Sequence, residues 1–234
     1  MTGAAIGAAT RAAPLRPAAT VVLLRPGTDP ALGPLDVLLT LRPASMAFGP
    51  GLHVFPGGAL DPGDSDPRLI ARSRAGTPAR IAGLRELFEE AGVLLADRAD
   101  GSPAGADPGL AAELPRLRAA LVAGDVDLAT ILERFELVLA TDRLIYIARW
   151  QTPPDLARRF DTSFFVAELP AGAVLDLDPR EVAGHAWMTP GMALTAMAAG
   201  EIDLWPPTSS TLRLLERVPD VAAIRRDLAL PEPG

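Results

Sequence analysis

Three glutamates on one predicted helix are the residues whose type and spacing could do chemistry. At about 100° per residue, Glu86, Glu89 and Glu90 fall within about 100° of arc and form one carboxylate face. Like charges four residues apart destabilise a helix by a few tenths of a kcal/mol, and a hard divalent cation would offset that cost. A lone face of this kind is more often solvated surface, so its meaning depends on the residues around it.

A glycine pair precedes this helix in the chain. Gly57-Gly58 lets the backbone come close to an anion or a metal ion, because neither residue carries a side chain. The helix should begin at Thr77-Pro78, a cap and first-turn pair, and should stop at Gly92. Together the glycines and the carboxylate face favour a Mg²⁺ or Mn²⁺ site, since both ions prefer carboxylate oxygens.

Composition excludes several other kinds of chemistry. The 234 residues include no cysteine, so disulfides, thiol nucleophiles and cysteine zinc sites are excluded. All 22 basic residues are arginine, which excludes a phosphate-loop lysine and a Schiff-base lysine. Two histidines are too few for a histidine-dominated zinc site; His53 and His185 are each a candidate general base, although His185 has the setting of a core residue. A net charge of −7 disfavours a nucleic-acid partner.

Strands and helices interleave along the chain, which predicts an α/β or α+β fold. The predicted strands are residues 19–25, 35–41, 138–148, 163–169 and 183–188. The predicted helices are residues 78–91, 110–122, 128–137, 193–199 and 209–217. Residues 1–18, rich in alanine and proline, are predicted to be a disordered tail before a single domain over 19–234.

The surroundings of the protein are predicted from the same composition. No apolar run reaches the roughly 18 residues of a spanning helix, and no secretory signal is recognised, so we expect a cytoplasmic protein with no membrane partner. Lysine and asparagine are absent while alanine, glycine, proline and arginine abound, which indicates a GC-rich bacterial source.

The glycines and the acidic helix resemble the Nudix box. That box runs glycine, five residues, glutamate, seven residues, then Arg-Glu-aliphatic-any-Glu-Glu-any-Gly-aliphatic. Residues 85–93 match the second half at every fixed position, and Gly58 is followed by five residues and then Asp64. Two features depart from the box: Asp64 replaces the glutamate, and twenty residues (65–84) stand in place of seven. An extra loop over about 65–78 is tolerable, because closure entropy grows slowly with length.

Further segments are similar to the coenzyme A diphosphatase branch of the Nudix superfamily, in particular to its peroxisomal-type subgroup with an interrupted box. These segments are residues 39–42, 46–48, 51–58, 160–165 and 205–208, with a helical insert over about 109–137. The resemblance implies a Nudix fold, a mixed β-sheet sandwiched between helices. It also implies cleavage of coenzyme A or acyl-coenzyme A to 3′,5′-ADP and a 4′-phosphopantetheine product. ADP-ribose, NADH and nucleoside triphosphates stay open as substrates, as does a non-catalytic ligand-binding module.

The resemblance also implies roles for individual residues, with a small nucleotide as the partner. The implied metal ligands are Glu86, Glu89, Glu90, Gly58 and Glu181. The implied catalytic residues are Glu86, Glu89 and Arg85, and the implied substrate contacts are Arg42, Phe55 and Gly57. Apart from the resemblance, three arginines are available as bidentate phosphate donors, although surface salt bridges explain single arginines equally well: Arg42, Arg85 and Arg159. A surface turn is an equally good interpretation of Glu181, and the box alone does not identify the general base. Homodimerisation through an apolar face of the insert is left open.

Overall fold

The protein is described here by a computed structural model that covers residues 13–29, 31–46 and 49–233. The strands in these ranges are β1 (Leu15–Pro26), β2 (Leu35–Leu41), β3 (His53–Val54), β4 (Gly57–Ala59), β5 (Ala96–Asp97), β6 (Val138–Leu139), β7 (Ile145–Gln151), β8 (Arg159–Glu168) and β9 (Gly184–Met188). The helices are α1 (Pro67–Ala71), α2 (Pro78–Ala91), α3 (Pro108–Ala123), α4 (Leu128–Arg134), α5 (Pro190–Ala199), α6 (Pro206–Leu215) and α7 (Val221–Asp227). None of these helices is long and apolar enough to cross a membrane.

The main sheet is mixed, and its centre is the long parallel pair of β1 and β8. β7 pairs antiparallel with β8, while β2 pairs antiparallel with both β1 and β9. β1 pairs with β2 only over residues 24–26, and its other end, residues 18–20, pairs with β4 instead. β3 pairs with the opposite end of β2 at Thr40 and Leu41. The divergence of β1 and β2 therefore makes room for the glycine-rich segment between them.

Helices cover both faces of this sheet, as predicted for a sandwich of helices around a mixed sheet. Alternate residues of β1 point to opposite sides, because side chains alternate along a strand. Ala19, Val21 and Leu23 join a core cluster with α2, α3 and α4. Val22 and Leu24 join a second cluster with α5, α6 and α7. The helix that carries the three glutamates lies on the first of these faces.

Several predicted boundaries are corrected by the structure. The first strand begins at Leu15, not Ala19, because β8 continues to pair with it as far as Arg159. Residues 15–18 thus belong to the sheet, and only residues 1–12 of the predicted tail lie outside the described residues, as do residues 47–48 of the motif at 46–48. The strand predicted over residues 138–148 is divided by a 3₁₀ turn, Thr141–Arg143. The helices α1 and α7 were not predicted.

The two insertions, residues 65–78 of the box and the helical insert, pack on each other. Leu69 of α1 is buried with α4, and Arg68 Nη2 donates to Asp127 Oδ2 at 2.9 Å. The large apolar side chains of the insert, among them Leu117 and Leu132, lie inside the same core. No large apolar side chain of residues 110–137 is exposed. The insert thus uses its large apolar side chains mainly in the core, and a dimer through the insert stays a prediction.

Candidate functional site

The helix α2 is positioned by local signals and by one close approach to the sheet. Its N-cap is Thr77, whose hydroxyl accepts from the Arg80 amide, and it ends at Gly92 in the left-handed conformation, with φ of +72°. Gly83 faces β1, and a Cβ there would lie 3.0 Å from Val21 Cγ2. The helix therefore packs tightly on β1, and this contact holds the acidic residues beside the glycine pair.

The glycine pair meets the acidic face, as the sequence predicts. The Gly57 amide donates to Glu90 Oε2 at 3.3 Å, and Glu90 is only 7% exposed. A Cβ on Gly58 would lie 2.4 Å from Glu86 Oε1, which is far inside van der Waals contact. The missing side chain at Gly58 thus provides the space that the Glu86 carboxylate occupies.

Arg85 lies among the acidic residues, and its donors are used within the protein. Nη1 donates to Glu86 Oε1 at 2.9 Å and to Glu89 Oε2 at 3.0 Å. Nε and Nη2 donate to the two carboxylate oxygens of Asp64 at 2.8 Å and 3.0 Å, and Nη2 also donates to the Ala59 carbonyl. Arg85 is therefore placed to orient the glutamates rather than to contact a substrate phosphate directly.

Asp64, which stands where the box has glutamate, is fully buried. Besides its two bonds from Arg85, its Oδ2 accepts from the Asp61 amide at 2.7 Å. Asp61 in turn accepts from the Gly63 amide, so the two aspartates cap the 3₁₀ turn Pro62–Ser65 reciprocally. Asp64 fixes the turn and Arg85, and through the hydrogen bonds of that arginine it orients the glutamates.

The buried glutamates hold protons more tightly than free carboxyl groups. Burial raises the pKa of Glu86 to about 7; the Arg85 charge opposes this rise, and the charges of Glu89 and Glu181 add to it. Burial also raises the pKa of Glu90 well above its usual value, with Glu86 and Glu181 adding to the effect and Gly57 opposing it. Each carboxylate thus disfavours ionisation of its neighbours.

The fourth predicted carboxylate comes from the segment before β9. Burial raises the pKa of Glu89, Arg85 opposes this, and the charges of Glu181 and Asp64 raise it further. Glu181 is itself exposed, yet its charge acts on all three glutamates of α2. Its backbone turn is attached to α2, because the Asp178 amide donates to the Glu90 carbonyl at 3.0 Å. Glu181 therefore faces the same acidic region from outside the helix.

The donor set suits a hard divalent cation, but its side chains are not gathered around one point. In the part of the chain that the structure describes, no three histidine, aspartate or glutamate side chains form a group that could hold an ion. Arg85 forms ion pairs with both Glu86 and Glu89 and supplies the positive charge between them. Mutually repelling carboxylates beside the side-chain-free Gly58 form a set of oxygen donors of the kind that Mg²⁺ or Mn²⁺ prefers.

The other predicted site residues are distributed over both sides of the sheet. The charge of Arg42 acts on Glu90, which places Arg42 near the acidic region. Phe55 is 3% exposed and packs in the second core cluster, on the opposite face from α2, and its contact with a substrate stays a prediction. The guanidinium of Arg159 donates to the carbonyls of Ala13, Thr152 and Pro153, and so holds the start of β1.

The two histidines differ from expectation. His185 is exposed on β9, so the prediction of a core histidine is wrong. His53 is half-buried on β3, and its Nδ1 is buried without a hydrogen-bond partner among the residues that the structure describes. Burial lowers the pKa of His53, while the backbone and charge of Asp203 oppose this. His53 belongs to the strand that precedes the glycine pair.

Sequence reasoning missed three residues that support the acidic face: Arg118, Asp176 and Asp178. Arg118 Nη1, on α3, donates to the Glu89 carbonyl at 3.1 Å. The Asp176 amide donates to the Ala91 carbonyl at 3.0 Å, one residue beyond the Asp178 contact with Glu90. These contacts join segments far apart in the chain, and no local pattern marks the residues that make them.

Comparisons with known proteins agree with this geometry. The family model described as the NUDT19 Nudix domain matches residues 75–215. The chain is 30% identical over 184 residues to the putative nudix hydrolase 7 of Caenorhabditis elegans, covering 79% of this chain and 57% of that protein. It is 29% identical over 235 residues to the acyl-coenzyme A diphosphatase NUDT19 of Homo sapiens, covering 81% of this chain and 63% of that protein. The chain therefore spans about three fifths of the length of these curated relatives.

A solved structure shows the same fold over nearly the whole chain. The crystal structure of a NUDIX hydrolase from Alicyclobacillus acidocaldarius superposes with a TM-score of 0.80 at 28% identity. The match covers 94% of this chain and 99% of that one. With a matching family model over more than half of its residues, the chain belongs to the Nudix hydrolases, in the group defined by the NUDT19 Nudix domain.

Proposed function

We propose that this protein hydrolyses the diphosphate bond of a nucleotide derivative with the help of Mg²⁺ or Mn²⁺. The observation that carries the proposal is the set of buried, mutually repelling glutamates on α2 facing the side-chain-free Gly58. Glu86, Glu89 and Glu90 would hold the cation, with the Gly58 carbonyl and Glu181 as further oxygen donors. When bound, a divalent cation neutralises the charge of the diphosphate oxygens and lowers the pKa of water.

The side chains then have separate tasks in the reaction. Arg85 orients Glu86 and Glu89 through its hydrogen bonds, while Arg42 supplies positive charge beside Glu90 for the substrate phosphates. Water attacks one phosphorus atom, the bond from that phosphorus to the bridging oxygen breaks, and a glutamate takes the proton from the water. Glu181, exposed and adjacent to the acidic face, is a candidate for that proton acceptor, as is any glutamate of α2 not engaged by the cation.

The substrate we propose is coenzyme A or an acyl derivative, cleaved to 3′,5′-ADP and (acyl-)4′-phosphopantetheine. Support comes from the similarity to the acyl-coenzyme A diphosphatase NUDT19 of Homo sapiens and of Gallus gallus, and from the matched NUDT19 family model. Nudix pyrophosphatase activity on ADP-ribose, NADH or nucleoside triphosphates is the second candidate, because all these compounds present the same diphosphate to the cation.

The substrate is tested by specificity constants measured side by side for coenzyme A, ADP-ribose, NADH and a deoxynucleoside triphosphate, with Mg²⁺ and with Mn²⁺. We expect the largest kcat/KM for coenzyme A or its acyl derivative. If coenzyme A is cleaved no faster than the others, the substrate proposal fails while diphosphate hydrolysis stands. Hydrolysis of none of them, with tight binding of a nucleotide ligand, would instead indicate a binding module on a Nudix scaffold.

The metal site is tested by Glu90→Gln, which keeps the size of the side chain and removes its charge. We expect a loss of at least about 100-fold in kcat/KM, because the Glu90 carboxylate helps to bind the cation, and the cation stabilises the negative charge that develops in the transition state. Glu201→Gln is the matched control, since Glu201 is exposed on the turn after α5. Wild-type rates for Glu90→Gln would contradict the proposed metal site.

A further inference from the structure

The helical insert contacts the acidic helix through one nearly buried side chain. Arg118, on α3, is 9% exposed, and its Nη1 donates to the Glu89 carbonyl at 3.1 Å. Its Nε and Nη2 both donate to Asp176 Oδ2, at 3.2 Å and 2.8 Å. A guanidinium is planar and rigid, so bonds on two of its edges fix the relative position of both partners. Arg118 thus joins α3, the end of α2 and residue 176 at one point.

Residues 176–182, which we name the Glu181 turn, are attached to α2 by backbone bonds as well. The amides of Asp176 and Asp178 donate to the carbonyls of Ala91 and Glu90, each at 3.0 Å. These carbonyls belong to the last turn of a helix, where the helix itself offers no partner. Asp178 accepts in turn from the Glu181 amide at 3.1 Å. The position of Glu181 therefore follows from the docking of this turn on α2.

Electrostatics explains why a positively charged side chain is needed where the Glu181 turn packs against the end of α2. The carboxyl end of a helix carries a partial negative charge, and Asp176 brings a full negative charge to it. Without a positive group between them, the two would repel each other. Arg118 lies between them and contacts both, and a Cβ at Gly92 would lie 2.8 Å from Asp176 Cβ, so the approach is close.

We propose that Arg118 is a positioning residue that clamps the Glu181 turn to the end of α2 and so holds Glu181 against the acidic face. This inference rests on the proposed function, in which Glu181 serves the reaction of Glu86, Glu89 and Glu90. It gives the helical insert a task in the reaction, because α3 supplies a side chain that acts on the site through Asp176. The donors of Arg118 are directed to Asp176 and to the Glu89 carbonyl, so its role is to position other groups.

The decisive experiment measures Arg118→Met alone and combined with Glu181→Gln. Two readouts are needed: kcat/KM for diphosphate hydrolysis, and the dissociation constant of Mn²⁺ alone. In the wild-type background we expect Arg118→Met to weaken both by about 10-fold, which corresponds to about 1.4 kcal/mol. In the Glu181→Gln background we expect less than about a 2-fold further change, because residues that act through one another are not additive.

Arg116→Met is the matched control. Arg116 lies two residues earlier on α3, is exposed, and donates to Glu113 on its own helix. We expect it to change both readouts by less than about 2-fold in either background, since exposed ion pairs contribute little. Equal losses from Arg118→Met in both backgrounds, or no loss in either, would overturn the clamp.

Amide hydrogen exchange keeps the inference testable if a variant folds poorly or the activity is absent. Arg118→Lys retains the positive charge but not the forked geometry, and we expect it to show a smaller loss with the same non-additivity. In both Arg118 variants the amides of Asp176 and Asp178 should exchange faster, while in Arg116→Met they should not. Unchanged protection would overturn the clamp. Wild-type protein that hydrolyses no diphosphate would contradict the proposed function, whereas Mn²⁺ binding and amide exchange would still test Arg118.

Discussion

The guanidinium of Arg85 donates two hydrogen bonds to the carboxylate of Asp64, Nε to Oδ1 at 2.8 Å and Nη2 to Oδ2 at 3.0 Å. These residues belong to the two halves of the Nudix box, which twenty residues separate in this chain. The bidentate pair joins the two halves across the inserted residues, because it holds the glycine-rich half and the acidic helix at a fixed distance. Aspartate in place of glutamate therefore keeps a defined task, the orientation of Arg85.

Asp64→Asn should show how much that pair contributes. Asparagine keeps the shape but cannot accept two charged bonds from Arg85, and Asp64 is fully buried. We expect the free energy of unfolding to fall by about 2–4 kcal/mol, and kcat/KM to fall because Glu86 and Glu89 lose their orienting partner. Urea unfolding and steady-state rates measure the two effects. Asp155→Asn, at an exposed position, is the control; equal stability of the two variants would show that the pair contributes nothing.

Gly58→Ala should separate the acidic site from the fold. The added Cβ would meet Glu86 Oε1 at 2.4 Å, the far end of a flexible side chain that can rotate away. We expect stability to fall by less than about 1 kcal/mol, because only a rotamer must change. Mn²⁺ affinity should fall by about 10-fold, since the Glu86 carboxylate is displaced. Titration with Mn²⁺ and thermal unfolding of the same preparation check both.

Gly57→Ala is the matched contrast to that variant. Its Cβ would lie 2.4 Å from the Ala19 carbonyl oxygen, a backbone atom held in the pairing of β1 with β4, and φ at Gly57 is +155°. We expect a loss of more than about 2 kcal/mol in unfolding free energy, because the strand pairing must shift. A Gly58→Ala protein as unstable as Gly57→Ala would contradict the expectation that only a rotamer must change. Wild-type Mn²⁺ affinity of Gly58→Ala would place Glu86 outside the metal site.

Elements with strong local signals were predicted well. The helix α2 was predicted with its cap and its stop, because Thr77, Pro78 and Gly92 act within one turn of the helix ends. The strand β2 was predicted at its observed bounds, Leu35–Leu41. The meeting of the glycine pair with the acidic face was also anticipated, since the resemblance to the Nudix box spans both.

Features that depend on register or on distant contacts were not predictable in the same way. The burial of Phe55 in the second core cluster is one such feature, because a shift of one residue reverses the face of every side chain in a strand. Arg118 and Asp176 are 58 positions apart and meet only in the folded chain. The helix α1 has five residues, too few for a periodic pattern to show.

The raised pKa values of the glutamates predict how stability varies with pH. The pKa of Glu86 is about 7 in the folded protein against an ordinary 4.5, so the metal-free folded state binds protons more tightly than the unfolded state. This stabilisation is fully present below pH 4.5 and is lost as the pH rises through about 7. Carboxylates with lowered pKa, such as Asp127 at about 2, contribute with the opposite sign: their stabilisation grows as the pH rises and has reached its full value by about pH 5.

Above about pH 5 we therefore expect the unfolding free energy of metal-free protein to fall as the pH rises, by up to about 1.4 kcal/mol per pH unit for one proton. The melting temperature should fall with it. The stabilisation by Mn²⁺ should grow over the same range, because the cation replaces protons on the glutamates. Thermal unfolding in chelator and in Mn²⁺ at several pH values measures this. Glu86→Gln should flatten the metal-free profile; an unchanged slope would mean that Glu86 is not the group that titrates.

The last prediction concerns Asp97, the fully buried carboxylate that ties the box insertion to the rest of the fold. Arg74, in the insertion, and Arg143, in the turn before β7, both donate to it. Asp97→Asn removes the charge that both arginines share. Each arginine side chain is about one third exposed and can hydrate, so we expect a loss of about 1–3 kcal/mol rather than the larger cost of a stranded buried charge.

Activity should respond differently from stability in that variant. Arg74 and Arg143 donate to Asp97 and not to the glutamates of α2. At temperatures below the melting transition, Mn²⁺ affinity and kcat/KM should therefore stay within about 2-fold of wild type. Trypsin cleavage after Arg72 or Arg74 should become faster, because the insertion loses its attachment to Asp97 and opens more often. A local opening near Arg74 leaves the hydrogen bonds of Arg85 intact. If Asp97→Asn loses as much Mn²⁺ affinity as Glu90→Gln, the insertion instead takes part in the proposed metal site.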